Sequence, residues 1–390
     1  MMGEYVFKRK WLRLLAGILD FFGYCLKTIF NLFSKQQVLK SPDEYRKILL
    51  IRLDHMGDGL FLLPTLQSAR KLFPNAHLTL LAGPWASSFV KPGVWVDEVK
   101  IFEAPWFRRP PQFFRWTHFW EINRWIKKQG FEIGIDFRGD LRHLLWMSLC
   151  CIPIRAGYGG TGAGFLLTHE KSLNSTHHEV ERNLDLLRLF QPGLKAGPFE
   201  APTVYENAKI KIGELLTTNG VQGDMGLAIF QVTAGYPSKE WEPAKFAEVM
   251  SKVSENPKLL VGVIGAREDA DRIEKILTLV KSPVLNLCGK TNLEELGALF
   301  QRASVYVGLD SGPAHLAVAM GTRCVLIYSG VNDLRRWGPW IMGKEEKVQI
   351  LHREVSCSPC TLSVCNRKHE CLEPIQPGDV IKALAPWLGG

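Results

Sequence analysis

Two short runs of this chain admit few folds: "KILLIRL" at 47–53 and "GLAIFQV" at 226–232. Each is continuously apolar rather than alternating. That is the pattern of a strand covered on both faces, as in a parallel sheet flanked by helices. After the first run come the loop "HMGDG", a helix pattern from about Leu60 to Phe73, and the strands "AHLTLLAG" and "FEIGIDFRG". After the second come "TAGYPSKEWEP", a helix beginning near Pro243, "KLLVGVIGA", "REDADRIEKILTLV" and "PVLNLCG". "LEELGALFQRA", "VYVGLD", "PAHLAVAMG" and "RCVLIYSG" complete that series. Strand–helix alternation that starts twice reads as two Rossmann-like, doubly wound α/β domains. "QPGLKAGPFEAPT" (191–203), rich in Pro and Gly, separates them. We expect residues 41–200 to form the first domain, 201–390 the second, and 1–40 an added segment. A length of 390 residues with 46% hydrophobic composition supports two cores of this size. Two such domains face a cleft in the economical arrangement, and ligands of such sheets bind beyond the carboxyl ends of the strands.

The added segment carries "KRKWLRLLAGILDFFGYCLKTIFNLFSK" (8–35). Arg13, Asp20 and Lys27 interrupt its apolar run at sevenfold spacing, so on a helix they share one face with Asn31. Leu12, Leu15, Ile18, Leu19, Phe22, Leu26, Ile29, Phe30 and Phe33 occupy the rest. Three charges argue against a membrane span, and no small-residue cleavage site marks a signal peptide. Two readings stand: a helix lying in a membrane interface through residues 8–34, or one packed on protein.

Net charge is +9, which favours anionic partners. No RNA-binding signature, finger spacing or basic zipper accompanies it, so nucleic acid is not expected. Of nine cysteines, Cys25, Cys150, Cys151, Cys288 and Cys324 sit in apolar surroundings. Cys357, Cys360, Cys365 and Cys371 crowd into "CSPCTLSVCNRKHEC". That spacing is compatible with a structural tetrahedral zinc site, but the second half of a zinc ribbon is missing. Free thiols or adventitious disulfides are the competing readings, and the uneven count fits a reducing compartment.

The loops after strands carry the candidate chemistry. In "LIRLDHMGDGLF" Asp58 lies between Gly57 and Gly59, with Asp54 and His55 nearby; a helix cap is the bland alternative. In "TAGYPSKEWEP" Lys239 suits an anionic phosphate as a mobile point charge. In "GAREDADR" Glu268 or Asp269 suits ribose hydroxyls or a helix N-terminus. In "GLDSGPAHLAVAMG" Asp310 or Ser311 can cap a helix that Pro313 and Gly321 delimit, and its first-turn N–H groups form an anion site beside His315. Neither GxGxxG after the first strand nor GxxxxGK[ST] is present, so dinucleotide and P-loop readings fall.

Taken together these motifs resemble glycosyltransferase family 9, the ADP-heptose:lipopolysaccharide heptosyltransferases of GT-B fold. The resemblance runs from about Lys47 onward on "KILLIRLDHMGDGLFLLPTLQSARKLFPNAHLTLL", "FEIGIDFRGDLRH", "IRAGY", "YPSKEWEPAKFAEV" and "VYVGLDSGPAHLAVAMGTRCVLIYSG". It implies Asp58 as the catalytic aspartate and Lys239 on the donor diphosphate. It implies Asp310, Ser311, Gly312 and His315 as the donor-binding turn, and Glu268 as the acidic donor ligand, with Asp269 the one-residue alternative. Gly59 departs from the aliphatic residue usual after Gly-Asp. The implied reaction is a single inverting displacement from a nucleotide-activated sugar, without a required metal, onto an anionic glycolipid or glycan acceptor. The implied location is the cytoplasmic face of a bacterial inner membrane. A sugar-nucleotide-binding protein without catalysis, a transferase with another nucleotide sugar, and an epimerase of similar shape are the alternatives; the epimerase lacks a visible acid–base set.

Overall fold

A computed structural model describes residues 10–31, 38–107, 116–174, 176–197, 200–221, 223 and 225–388. The chain divides into two compact units, Met1–Gly197 and Pro198–Gly390.

In the first unit the strands are β1 (Lys47–Arg52), β2 (His77–Ala82), β3 (Glu98–Ile101), β4 (Ile133–Asp136), β5 (Ile154–Gly157) and β6 (His169–Glu170). They form one parallel sheet in the order β3-β2-β1-β4-β5-β6. The second unit repeats the plan with β7 (Gly226–Gln231), β8 (Leu259–Ile264), β9 (Leu285–Asn286), β10 (Val305–Leu309), β11 (Cys324–Tyr328) and β12 (Val348–His352), ordered β12-β11-β10-β7-β8-β9. Its neighbouring strands are likewise parallel. Helices cover both faces, which is why β1, β7, β10 and β11 are buried nearly end to end and read as unbroken apolar runs.

Each sheet reverses its winding once, between β1 and β4 in the first and between β7 and β10 in the second. Strands that leave the centre in opposite directions open a crevice at their carboxyl ends, where ligands of such sheets sit. The loops of interest come after these four strands.

The segment expected as one helix from Leu60 to Phe73 is two. A short helix, α2 (Met56–Leu60), comes first, and α3 (Leu63–Leu72) succeeds it with Pro64 in its first turn. A proline there lacks an N–H that the helix start does not need. The N-terminal helix α1 (Lys10–Asn31) is continuous. Its polar stripe, however, faces the protein: Ala163 N donates to Asp20 Oδ1 at 2.5 Å, and Lys27 Nζ to Leu167 O at 2.6 Å. The side chains of Lys10, Leu12, Arg13, Phe30 and Asn31, and residue Phe33, lie outside the described residues.

Candidate active site

In the first unit the site grows from the end of β1. Arg52, 1% exposed, is the last residue of the strand and the only charge in its buried part. An isolated guanidinium at such depth would cost several kcal/mol, so it must be paired. Its Nη2 lies 3.2 Å from Asp58 Oδ1 and 3.3 Å from Glu179 Oε1, and its Nη1 donates to Phe137 O (2.9 Å) and Asn183 Oδ1 (3.1 Å). Its Nε is 2.7 Å from Asp54 Oδ1, an ion contact off the hydrogen-bonding direction. Arg138 reaches the other Asp54 oxygen at 2.6 Å, and Arg182 holds Glu179 at 2.6 Å.

Asp58 stands in the first turn of α2 and does not serve as its cap, because His55 occupies that position. Burial pushes the Asp58 carboxyl up to about 6; the Asp54 charge acts the same way, and Arg52 and Arg138 oppose it. Burial alone would lower the Arg52 ionisation, but Asp54, Asp58 and Glu179 outweigh it and hold the guanidinium charged. Gly59 comes next because no side chain fits: a Cβ there would stand 2.5 Å from the Trp85 indole. The departure from an aliphatic residue is thus met by a neighbouring aromatic.

Arg138 is positioned by the turn after β4. Asp136 accepts from Gly139 N (2.7 Å), Asp140 N (2.9 Å) and the ring of His143 (2.8 Å), all buried. Gly139 takes φ +76°, and a Cβ would meet Tyr158 O at 2.7 Å, so the turn needs glycine. The Arg138 and Arg142 guanidinium groups lie over Phe107 and Trp106, at 5.3 and 4.2 Å from the ring centres, each about one third exposed. Arg142 is paired with Asp140 (Nε to Oδ1, 2.7 Å) as Arg138 is with Asp54, so the edge presents carboxylate-paired guanidinium groups backed by aromatic rings.

In the second unit the site grows from β7 and β10. Lys239 ends a 3-10 turn (Pro237–Lys239), and its Nζ lies 2.7 Å from Asp310 Oδ2, with Asn332 Nδ2 donating to the same oxygen at 2.8 Å. Ser311 takes the N-cap position of the helix Gly312–Ala319, but its side chain does not cap; this corrects the capping role expected of it. The hydroxyl instead donates to Gln231 Oε1 at 2.5 Å, an oxygen that also accepts from Tyr306 OH at 2.8 Å. The first-turn N–H groups therefore have no side-chain cap and carry the positive end of the helix dipole. Half-buried His315 lies in the same turn, and Lys344 Nζ satisfies Val318 O and Ala319 O at the far end.

Glu268 and Asp269 separate clearly. Asp269 accepts from Ala266 N (3.3 Å), Thr233 Oγ1 (3.2 Å) and Arg272 Nη1 (3.3 Å), and so closes the turn after β8. Glu268 in the same turn is exposed. Of the four clustered cysteines, Cys371 is buried and the others are half-buried. Cys365 Sγ accepts from Arg367 N (3.4 Å) and His369 N (3.3 Å). Among the described residues no three Cys, His, Asp or Glu side chains converge as a metal site.

Two doubly wound parallel sheets of this order, with charged loops at both winding reversals, define the GT-B class. Residues 119–370 match the model of glycosyltransferase family 9 (heptosyltransferase), and the chain belongs to that family. The matched span contains Lys239, Glu268 and the 310–315 turn, whereas Asp58 precedes it. The chain is 30% identical to lipopolysaccharide heptosyltransferase 3 of Escherichia coli K12, over 84% of this chain and 94% of that protein. It is 28% identical to lipooligosaccharide heptosyltransferase 2 of Campylobacter jejuni over 37% of this chain, and this match spans 45% of that relative's length. Among solved structures, a family 9 glycosyltransferase from Veillonella parvula superposes with a TM-score of 0.76 at 18% identity, covering 90% of this chain and 98% of that one. The E. coli ADP-heptose LPS heptosyltransferase II gives 0.68 at 19% identity, covering 88% and 98%.

Proposed function

We propose that this protein transfers a heptose or related sugar from an ADP-activated donor to a lipopolysaccharide-core or other glycolipid acceptor, with inversion at the anomeric carbon. The observation that carries this reading is Asp58, a half-buried carboxylate beside Asp54 and Arg52 whose ionisation is raised to about 6, in a chain of family 9. The relatives' names, lipopolysaccharide heptosyltransferase 3 and ADP-heptose LPS heptosyltransferase II, support the sugar and the nucleotide.

In this mechanism an acceptor hydroxyl oxygen bonds to the anomeric carbon as the carbon–oxygen bond to the diphosphate breaks. The bonding pair leaves with the nucleoside diphosphate. The hydroxyl proton passes to Asp58, directly or through one water; a carboxylate with an ionisation near 6 is unprotonated at neutral pH and still basic enough to serve. Lys239 and the first-turn N–H groups of Gly312–Ala319 receive the diphosphate charge, with His315 as a further donor. Asp310 orients Lys239, Ser311 fixes the turn through Gln231, and exposed Glu268 accepts from the donor's ribose hydroxyls. These fixed charges do the work often given to a divalent cation, so the reaction needs no metal. Zinc at Cys357, Cys360, Cys365 and Cys371 has no part in it.

Arg138 and Arg142 favour an anionic acceptor. Such an acceptor on a lipid implies a cytoplasmic enzyme in peripheral contact with the inner membrane. Among the described residues no helix is long and apolar enough to cross a membrane. Incubating the purified protein with ADP-, UDP-, GDP- and CMP-sugars and a lipopolysaccharide-core acceptor tests the reading. Transfer from ADP-heptose is expected; turnover only with another nucleotide favours the other-donor alternative, and binding without turnover favours the non-catalytic one.

A further inference from the structure

Amphipathic helices of globular proteins normally turn their apolar face to the core. α1 does the reverse. Its inward stripe is polar or small: Asp20 accepts from Ala163 N, Tyr24 OH donates to Glu170, and Lys27 donates to Leu167 O. Gly23 and Ala16 let the backbone approach, since a Cβ on Gly23 would overlap the Phe165 ring and Gly162 packs against Ala16. Outward, at helical spacing, Leu15, Ile18, Phe22, Leu26 and Ile29 are 47–64% exposed, and Trp11, Leu14, Leu19 and Phe21 broaden the strip at 44–66%. Both charges of α1 whose side chains are described, Asp20 and Lys27, are spent on the inner contacts. A strip this wide and continuous marks an interaction surface rather than scattered surface apolar residues.

We propose that the outer face of α1 is a preformed lipid-docking blade, seated in the plane of an anionic bilayer and bolted to the first unit by Asp20, Tyr24 and Lys27. This deepens the membrane contact proposed above by naming its surface and its fixings. Charge chooses the occupant. Residues 1–40 hold seven Lys or Arg against two Asp or Glu, a net +5 within the chain's +9. Anionic headgroups complement that excess, whereas a second copy of the same face would bring like charge together. Twenty-two helical residues span about 33 Å along such a surface. Crossing the bilayer instead would strip the inner hydrogen bonds and bury Asp20 and Lys27 in hydrocarbon.

The test is flotation of the full-length protein with vesicles of phosphatidylethanolamine and phosphatidylglycerol (3:1) or of phosphatidylcholine alone, without donor or acceptor. Wild type should float with the anionic vesicles and release at least tenfold as salt rises. The double variant Phe22→Asp, Leu26→Asp should lose flotation at least tenfold while keeping turnover on a soluble acceptor fragment. Should that variant misfold by circular dichroism, bromolipid quenching of Trp11, read as wild type minus Trp11→Phe, replaces it; quenching is expected. No flotation, undiminished flotation of the double variant, an unquenched Trp11, or a wild-type dimer that the double substitution dissociates would each overturn the proposal. Vesicle binding is scored without catalysis, so loss of the transferase reading would leave it standing.

Discussion

The two winding reversals solve opposite electrostatic problems. At the first, three carboxylates gather around buried Arg52, and withdrawal from water, aided by the Asp54 charge, raises the Asp58 carboxyl to about 6. At the second, one carboxylate is matched by one lysine, and an uncapped helix start adds positive potential. Withdrawal from water beside like charge suits the proposed base, and pairing beside a helix N-terminus suits the proposed seat for an anion. The same fold thus carries two different electrostatic environments by changing only the loops at the ends of its central strands.

The contrast breaks most sharply at Asp58. Asp58→Asn should lower transfer by about 10²–10⁴-fold while donor affinity by calorimetry stays within twofold; a variant that loses donor binding would move Asp58 into the anion seat. Lys239→Ala should cost about 10²–10³-fold in kcat, the scale of one lost transition-state donor. It should also lower Tm, because Asp310 stays buried with Asn332 as its remaining side-chain partner among those described. Glu268→Gln should raise the donor KM by roughly tenfold, as for a hydrogen bond to a charged group, without moving Tm. Asp269→Asn should show the reverse, a lower Tm with little change in donor KM. Arg138→Gln should move the acid limb of the rate profile to higher pH, since Arg138 opposes the rise in Asp58.

Much of this was legible in the sequence, and the rest was hidden for physical reasons. Continuous apolar runs announced both sheets, and Pro313 and Gly321 bounded their helix, because these signals are local. Arg52 sat in plain view inside "KILLIRL", where a charge at the end of a buried strand demands partners. Glu179, Arg182 and Asn183 gave no such signal; "HHEVERN" reads as a solvated helix face, and only tertiary packing buries it. That the turn consumes Asp269 and leaves Glu268 exposed was likewise a matter of packing that two adjacent acidic letters do not show. For α1, periodicity identified two faces but not which one points inward. That depended on Ala163, Glu170 and Leu167, far away in sequence.

Asp58, the proposed base, titrates, and the sign is fixed. Asp58 is raised above its ordinary value in the folded protein, so its protonated form is the more comfortable one. The stability it lends is present below about pH 4 and lost as pH rises through about 6. Activity runs the other way, because only the ionised carboxylate accepts a proton. The decisive measurement is the pH dependence of kcat under saturating donor and acceptor. With Asp58 as the base, the rate should fall tenfold per pH unit below about 6, and the residual activity of Asp58→Asn should lack that limb. A wild-type rate that is level from about pH 5 to 8, or an Asp58→Asn variant with the same acid limb, would remove Asp58 from that role.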